Sequence, residues 1–311
     1  MRGWDQLVDG YLAEYGSRGL CPETVARTTR VLERWGGWLR QRRPRPRLEQ
    51  IDADLITRFI RARTTFRSKA TVCDTLSAMR GMGDYLVREG VWSANPMRWM
   101  KGPKITPYSR LPRRIDRADL QSLLTAAATT RGSYRQHLWL AVLGLLYGTG
   151  LRRGELERLD VSSWDRDAGL LRIDGRKTGR ERLVPVPPLV VRCLEAYLPQ
   201  RHNRLARIEC CDERALLVAG SGRRLTKEAI SGGVRRLAKS AGVASISVHQ
   251  FRHSCASDLL EAGVALPDVQ RILGHQGIAT TVRYTHIADP MRVAAMRLHP
   301  INAWLAVRGA A

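Results

Sequence analysis

The 311-residue chain has no stretch approaching the ~20 consecutive apolar residues of a membrane span, and its N-terminus, MRGWDQLVDGYL, lacks the apolar core of a signal peptide. A cytoplasmic protein with no membrane partner is expected. The six cysteines (Cys21, Cys73, Cys193, Cys210, Cys211 and Cys255) form no C-x-x-C and have no histidine at zinc spacing. They predict reduced, mostly buried thiols, with neither a disulfide framework nor a metal site. The G-x-x-x-x-G-K-[ST] pattern is missing, which argues against a P-loop ATPase. Acidic residues are also short: 29 Asp and Glu stand against 52 Lys and Arg, a formal net charge of +23. A protein so basic is expected to live against a polyanion. Among the basic residues lysine is rare, 6 against 46 arginines, a skew that a GC-rich genome would also produce.

The length suggests two domains at ~150 residues each, and 44% hydrophobic with 26% charged residues is a globular composition. The charge is not a tail. Up to Arg114 there are 23 basic and 11 acidic residues, net +12, and beyond it 29 and 18, net +11. Two basic lobes holding one polyanion between them fit this better than an enzyme with a basic arm.

Residues 1–100 read as helical. Leu7, Tyr11 and Leu12 share one face, and Pro22 with Glu23 opens a helix running through Leu32, Trp35, Trp38 and Leu39. A breaker rich in proline and arginine follows from Gln41. Further helices are expected over about 54–63 and 68–89, the latter burying Val72, Leu76, Met79, Met82 and Leu86 and stopping at Gly90. Residues 101–114 (KGPKITPYSRLPRR) read as an extended basic linker. Beyond it come an amphipathic helix over 115–128, a strongly apolar one over 134–147, and a hairpin with strands at 170–173 and 182–186. From Thr226 the chain reads as short helices. The fold class expected is mainly α with a small β-sheet.

Three clusters carry candidate chemistry. In Thr149-Gly-Leu-Arg-Arg-Gly-Glu-Leu, Arg152 falls at a helix start, where an anion is welcome, although an arginine after a glycine turn is most often simply solvated. In Ser247-Val-His-Gln-Phe-Arg-His, the residues Val248, Phe251, Cys255 and Leu259 form the apolar stripe, so His249 and Arg252 at i and i+3 share a neighbouring face. In Leu273-Gly-His-Gln-Gly-Ile-Ala-Thr-Thr-Val-Arg-Tyr-Thr-His, Gly274 ends a helix, His275 follows, and Tyr284 lies on the next short one. Core packing is the commoner use of such a tyrosine. A protein that cuts DNA without metal-binding carboxylates needs cationic donors for the phosphate oxygens, a nucleophile and a proton donor for the leaving oxygen. Two arginine forks suit the first. Tyrosine, with a pKa of ~10, becomes a nucleophile beside cations or a base.

Taken together, Thr149-Gly-Leu-Arg152-x-Gly-Glu-Leu, His249-x-x-Arg252-His, and Leu273-Gly-His275 with Tyr284-Thr-His resemble the signature boxes of the tyrosine recombinases, the phage integrase and Xer group. The resemblance extends over nearly the whole chain. It implies a helical, SAM-like core-binding domain over 1–100, the linker at 101–114, and an α+β catalytic domain with a C-terminal tail over 115–311, closing as a C-shaped clamp on DNA. It also assigns roles. Arg152 and Arg252 clamp the scissile phosphate, His249 and His275 serve as hydrogen-bonding and acid/base partners, and Tyr284 attacks to leave a 3′-phosphotyrosine and a free 5′-hydroxyl. Lys177, in a hairpin turn that aligns less cleanly and offers Arg176 and Arg180 as rivals, protonates the leaving oxygen, since a lysine can give up its proton where an arginine cannot. Glu155 fits the acidic position supporting Arg152, or is a solvated helix charge.

The implied cycle exchanges a phosphodiester for a phosphotyrosine and back, conserving bond energy, so no cofactor is expected, neither ATP nor a divalent metal. The expected partners are double-stranded DNA recombination sites, with monomers in solution assembling as a homotetramer on two sites. The tail residues Val293, Met296, Leu298, Ile301, Trp304 and Leu305 have no evident core of their own, and docking on a neighbouring protomer is expected. The chain starts almost at the core-binding domain, which implies a simple recombinase using short core sites. The looser hairpin match leans towards integration, excision or transposition of a mobile element rather than chromosome-dimer resolution. A type IB-like topoisomerase and a catalytically silent DNA-binding paralogue are the alternatives.

Overall fold

The computed structural model describes residues 3–64, 68–104, 114–175, 181–209, 211–244, 246–274 and 296–304. Its chain divides into two compact units, 1–111 and 112–311. The architecture is mainly helical with one small sheet, the fold class the sequence patterning predicts. Among the described residues no helix is long and apolar enough to cross a membrane.

The first unit packs four helices, α1 (Trp4–Ser17), α2 (Pro22–Arg40), α3 (Ala53–Thr64) and α4 (Lys69–Arg88). Their ends have local causes. Pro22 takes the first position of α2, where a missing N–H costs nothing. The Ser68 hydroxyl accepts from the Thr71 amide at 3.3 Å at the start of α4, and Gly90, at φ +70°, turns the chain after it. The core centres on Trp35, fully buried, with the Trp4 ring edge-on at 4.9 Å and Phe59, Met79, Met82 and Leu86 around it. That approach requires Gly36, because a Cβ there would stand 2.2 Å from Trp4 Nε1. Burial of such side chains contributes roughly 1.5–3 kcal/mol each, which accounts for an independent core in this unit.

The second unit is built around α6 (Ser133–Gly148), whose residues 141–148 are all buried. A helix apolar on every side belongs inside, and α6 is flanked by α5 (Arg117–Ala128), α8 (Pro188–Leu205) and α10 (Val248–Glu261). Between α6 and α8 lie the short α7 (Arg153–Glu157) and an antiparallel sheet of β1 (Trp164–Asp165), β2 (Leu170–Ile173) and β3 (Arg182–Pro185), in that order. Ile173 faces Arg182 and Leu171 faces Val184 across β2 and β3, so alternation places Arg182 on the inward side with buried Val184, while Leu183 is exposed. The unit is completed by α9 (Lys227–Ser240), α11 (Leu266–Leu273) and α12 (Ile301–Trp304).

Three expectations change. Residues after Thr226 form two 14-residue helices, α9 and α10, not only short segments. Of the five described cysteines only Cys255 is buried, the other four being half-buried. The tail also finds a core in its own chain: Met296 and Ile301 are 1% and 2% exposed within the second unit's cluster. Their seat is fixed by His299, whose ring meets Tyr147 edge-on at 4.7 Å and whose Nδ1 accepts from the Ile301 amide at 3.1 Å. Burial holds that imidazole neutral, with its pKa pushed down to about 4. Docking on a neighbour is therefore corrected for Met296 and Ile301. Leu298 is exposed, while Val293, Leu305 and the Trp304 side chain lie outside the described residues.

Candidate active site

The site begins where α6 ends. Gly150 adopts φ +62°, and a Cβ there would lie 2.4 Å from Leu273 Cδ2, so only glycine lets the chain turn this close to α11. The turn delivers Arg152 to the N-cap of α7 and Glu155 one turn further on. With five residues α7 supplies little dipole, and the Glu155 carboxylate already accepts the Arg152 amide at 2.9 Å. The positive character of this corner therefore comes from guanidinium groups.

Those groups converge on the C-terminus of α11. Its last carbonyls have no intrahelical partner, and three consecutive ones accept from three different arginines. Arg182 Nε donates to Ile272 O at 3.3 Å, Arg252 Nη2 to Leu273 O at 2.6 Å, and Arg152 Nη2 to Gly274 O at 3.3 Å. Gly274 closes the helix in the left-handed region at φ +67°. Arg252 also donates through Nη1 to Gly150 O at 2.8 Å, joining the first cluster to the third.

Among the described residues one carboxylate stands against the three guanidinium groups. Glu155 Oε1 accepts from Arg152 Nη1 at 2.8 Å and Arg182 Nη1 at 3.0 Å, and Oε2 from Arg182 Nη2 at 2.9 Å. Its side chain is 5% exposed. Burial alone would raise the carboxyl's pKa, but the hydrogen bonds and charge of Arg182, then those of Arg152, hold it at about 2. Glu155 is thus a buried structural anion rather than a solvated helix charge. Arg252 is 3% exposed and pairs with no carboxylate among the described residues. Burial, followed by the charge of Arg152, lowers its pKa to about 10, which still leaves it a cation at neutral pH. The cluster therefore carries a surplus of two positive charges, and Arg152, 30% exposed, is its open edge. A phosphodiester, whose single negative charge grows towards two on its nonbridging oxygens as phosphorus gains a fifth ligand, suits this surplus.

His249 stands one turn before Arg252 on α10, exposed, with its ring edge-on to His253 at 4.6 Å. Partial burial first, then the charges of His253, Arg252 and Arg152, lower its pKa, favouring a neutral imidazole that can both donate and accept. The structure thus brings Arg152, Glu155 and Arg252 together, with His249 within electrostatic reach. Lys177, His275 and Tyr284, with the rivals Arg176 and Arg180, lie outside the described residues. Arg182 was not expected among the site residues. Its signal is strand alternation: two positions before the core residue Val184, it had to point inward, and an inward arginine requires a buried acceptor. Among the described residues no three His, Cys, Asp or Glu side chains group as metal ligands would.

Solved structures share the fold. A lambda integrase tetramer bound to a Holliday junction superposes with a TM-score of 0.64 at 18% identity, covering 89% of this chain and 80% of that one. The architecture is that of the tyrosine recombinases. Residues 113–291 match the phage integrase family. Tyrosine recombinase XerC of Pseudomonas fluorescens is 32% identical over 292 residues, 94% of either chain, and XerC of Azotobacter vinelandii is 37% identical over 253 residues, 80% of this chain and 81% of its own. The chain belongs to the phage integrase family and is a tyrosine site-specific recombinase.

Proposed function

We propose that the two units bind double-stranded DNA recombination sites and that the second exchanges strands through a 3′-phosphotyrosine and a Holliday junction. The observation that carries this reading is the surplus of two positive charges where Arg152, Arg182 and Arg252 meet one carboxylate at the end of α11. Arg152 and Arg252 hold the nonbridging oxygens, whose charge grows as the tetrahedral phosphorus gains a fifth ligand. His249 and His275 hydrogen-bond the same centre and move protons at it. The Tyr284 oxygen forms the new bond to phosphorus, and the bond from phosphorus to the 5′ oxygen breaks. Lys177 delivers the proton that the leaving oxygen takes up, generating the 5′-hydroxyl. The 5′-hydroxyl of a partner duplex then reverses these steps, releasing Tyr284 and joining the exchanged strand.

Two strand exchanges use four tyrosines, so monomers gather as a homotetramer on two DNA sites. Movement of a mobile element is the proposed role, in the cytoplasm where its DNA lies. In the first unit, Arg42, Arg43, Arg45 and Arg47 are exposed and pair with no carboxylate among the described residues, leaving their charge for phosphates. The topoisomerase alternative is not favoured by relatives that are named recombinases over 94% of the chain. A silent paralogue would have no reason to hold Arg252 buried and paired with no carboxylate among the described residues. The test uses a nicked duplex carrying the protein's own site, mapped by DNA protection around its gene, in which cleavage releases a short fragment and blocks religation. The expected result is a covalent complex that resists detergent and is lost in Tyr284→Phe. Tight binding without any covalent complex would support the silent binder instead.

A further inference from the structure

We propose that Arg182 is a positioning residue for Arg152, occupying both oxygens of Glu155 so that this carboxylate cannot neutralise the arginine that faces the phosphate. The inference rests on the clamp role assigned to Arg152 above. A carboxylate meeting a single arginine takes it fork to fork, through two parallel hydrogen bonds, the strongest arrangement open to the pair. Glu155 does not treat Arg152 in that way. Arg182 holds Oε1 at 3.0 Å and Oε2 at 2.9 Å, leaving the Arg152 side chain one bond, Nη1 to Oε1 at 2.8 Å. The second oxygen is further occupied by the Arg152 main-chain amide at 2.9 Å. Nη2 of Arg152 is left with a long contact of 3.3 Å to Gly274 O.

Among the described residues Arg182 directs three of its five N–H donors inward, Nη1 and Nη2 to Glu155 and Nε to Ile272 O at 3.3 Å, and its side chain is only 12% exposed. The backbone is shaped around it, since a Cβ on Gly274 would meet Arg182 Cδ, Nε and Cζ at 3.0 Å. Arg182 thus acts through Glu155 and not on substrate. Without it, a buried carboxylate with two free acceptors would draw the Arg152 fork inward and cancel its charge. Glu155 both orients Arg152 and threatens it, and Arg182 keeps the first effect without the second.

The experiment compares the unaltered protein, Arg182→Gln and the double variant Glu155→Gln/Arg182→Gln. Each forms the covalent complex in single turnover at saturating DNA, on a normal site and on one with a neutral methylphosphonate at the scissile position. The neutral linkage demands less of a cationic clamp. Arg182→Gln is expected to be on the order of 100-fold slower on the normal site, the scale of a small misplacement in a preorganised centre. The double variant recovers most of that rate, and on the methylphosphonate the defect of Arg182→Gln largely disappears. A merely structural arginine would slow both substrates alike. Equal slowing on the two sites, or a double variant no faster than Arg182→Gln, overturns the proposal. If Arg182→Gln does not fold, the double variant carries the test, and a defect in it of about 100-fold on both the normal and the methylphosphonate site overturns the proposal. Should the unaltered protein form no covalent complex, the Tyr284 reading falls and this inference with it, whereas failure confined to the variants removes only the inference.

Discussion

Glu155→Gln is the substitution whose cost can be worked out most directly. The carboxyl is held at about 2 instead of its ordinary 4.5, and each pH unit of such displacement corresponds to ~1.36 kcal/mol. Its ionised form therefore adds roughly 3 kcal/mol to the folded state at neutral pH, with little solvent screening because the side chain is 5% exposed. A folded-state pKa that is depressed gives stability fully present above about pH 4.5 and lost as the pH falls through about 2. In a unit of this size, 3 kcal/mol lowers the melting temperature by about 6–12 °C. Thermal unfolding of the 112–311 transition, followed at pH 7 and stepwise down to pH 2, should show Glu155→Gln well below the unaltered protein at pH 7 and the two curves converging near pH 2. Equal melting temperatures at pH 7, or a gap that persists unchanged at pH 2, would refute the account of Glu155 as the shared anion of Arg152 and Arg182.

Two further outcomes follow from the same geometry. Arg252→Lys keeps the charge but cannot span Gly150 O and Leu273 O while facing a phosphate; covalent-complex formation should fall by about 100- to 1,000-fold with site binding retained, as read by gel shift alongside the cleavage assay. Ile301→Ala removes a side chain 2% exposed in its own chain's core and should cost about 2–5 kcal/mol, with a melting shift independent of protein concentration. A cost that appears only at concentrations where the protein assembles would return the tail to a neighbouring protomer.

Much of this fold was legible because local signals and burial agreed. Leu76, Met79, Met82 and Leu86 recur at helical spacing and are buried along α4, Ser68 caps it, and Gly90 and Gly274 end helices in the left-handed conformation that favours glycine. The apolar run over 138–146 could only be a buried helix, and α6 is one. The sequence patterning assigns no element to residues 188–205, which form α8: Pro188 sits in its first turn, where it is tolerated, but Pro199 lies inside the helix. The tail was misjudged for another reason. Met296 and Ile301 show apolar character in the sequence, but whether a core remains to receive them depends on Tyr147 and His299 meeting across more than a hundred residues. At the site, Arg152 and Arg252 were recognisable from their motifs. Arg182 carries no motif, and its role arises only when β3 is set beside α7 and α11, so the pairing that decides the charge balance is a tertiary fact.

The central claim is that positive charge surplus to Glu155 holds a phosphodiester for attack by Tyr284, and one measurement tests it most directly. The covalent complex trapped on the nicked duplex is digested with trypsin and nuclease, and the peptide bearing the nucleotide is sequenced by mass spectrometry. The predicted result is a 3′-phosphonucleotide on Tyr284, within the tryptic peptide 284–292 that begins after Arg283. An adduct on any other residue, or a peptide 284–292 that stays unmodified while strands are exchanged, would contradict the account.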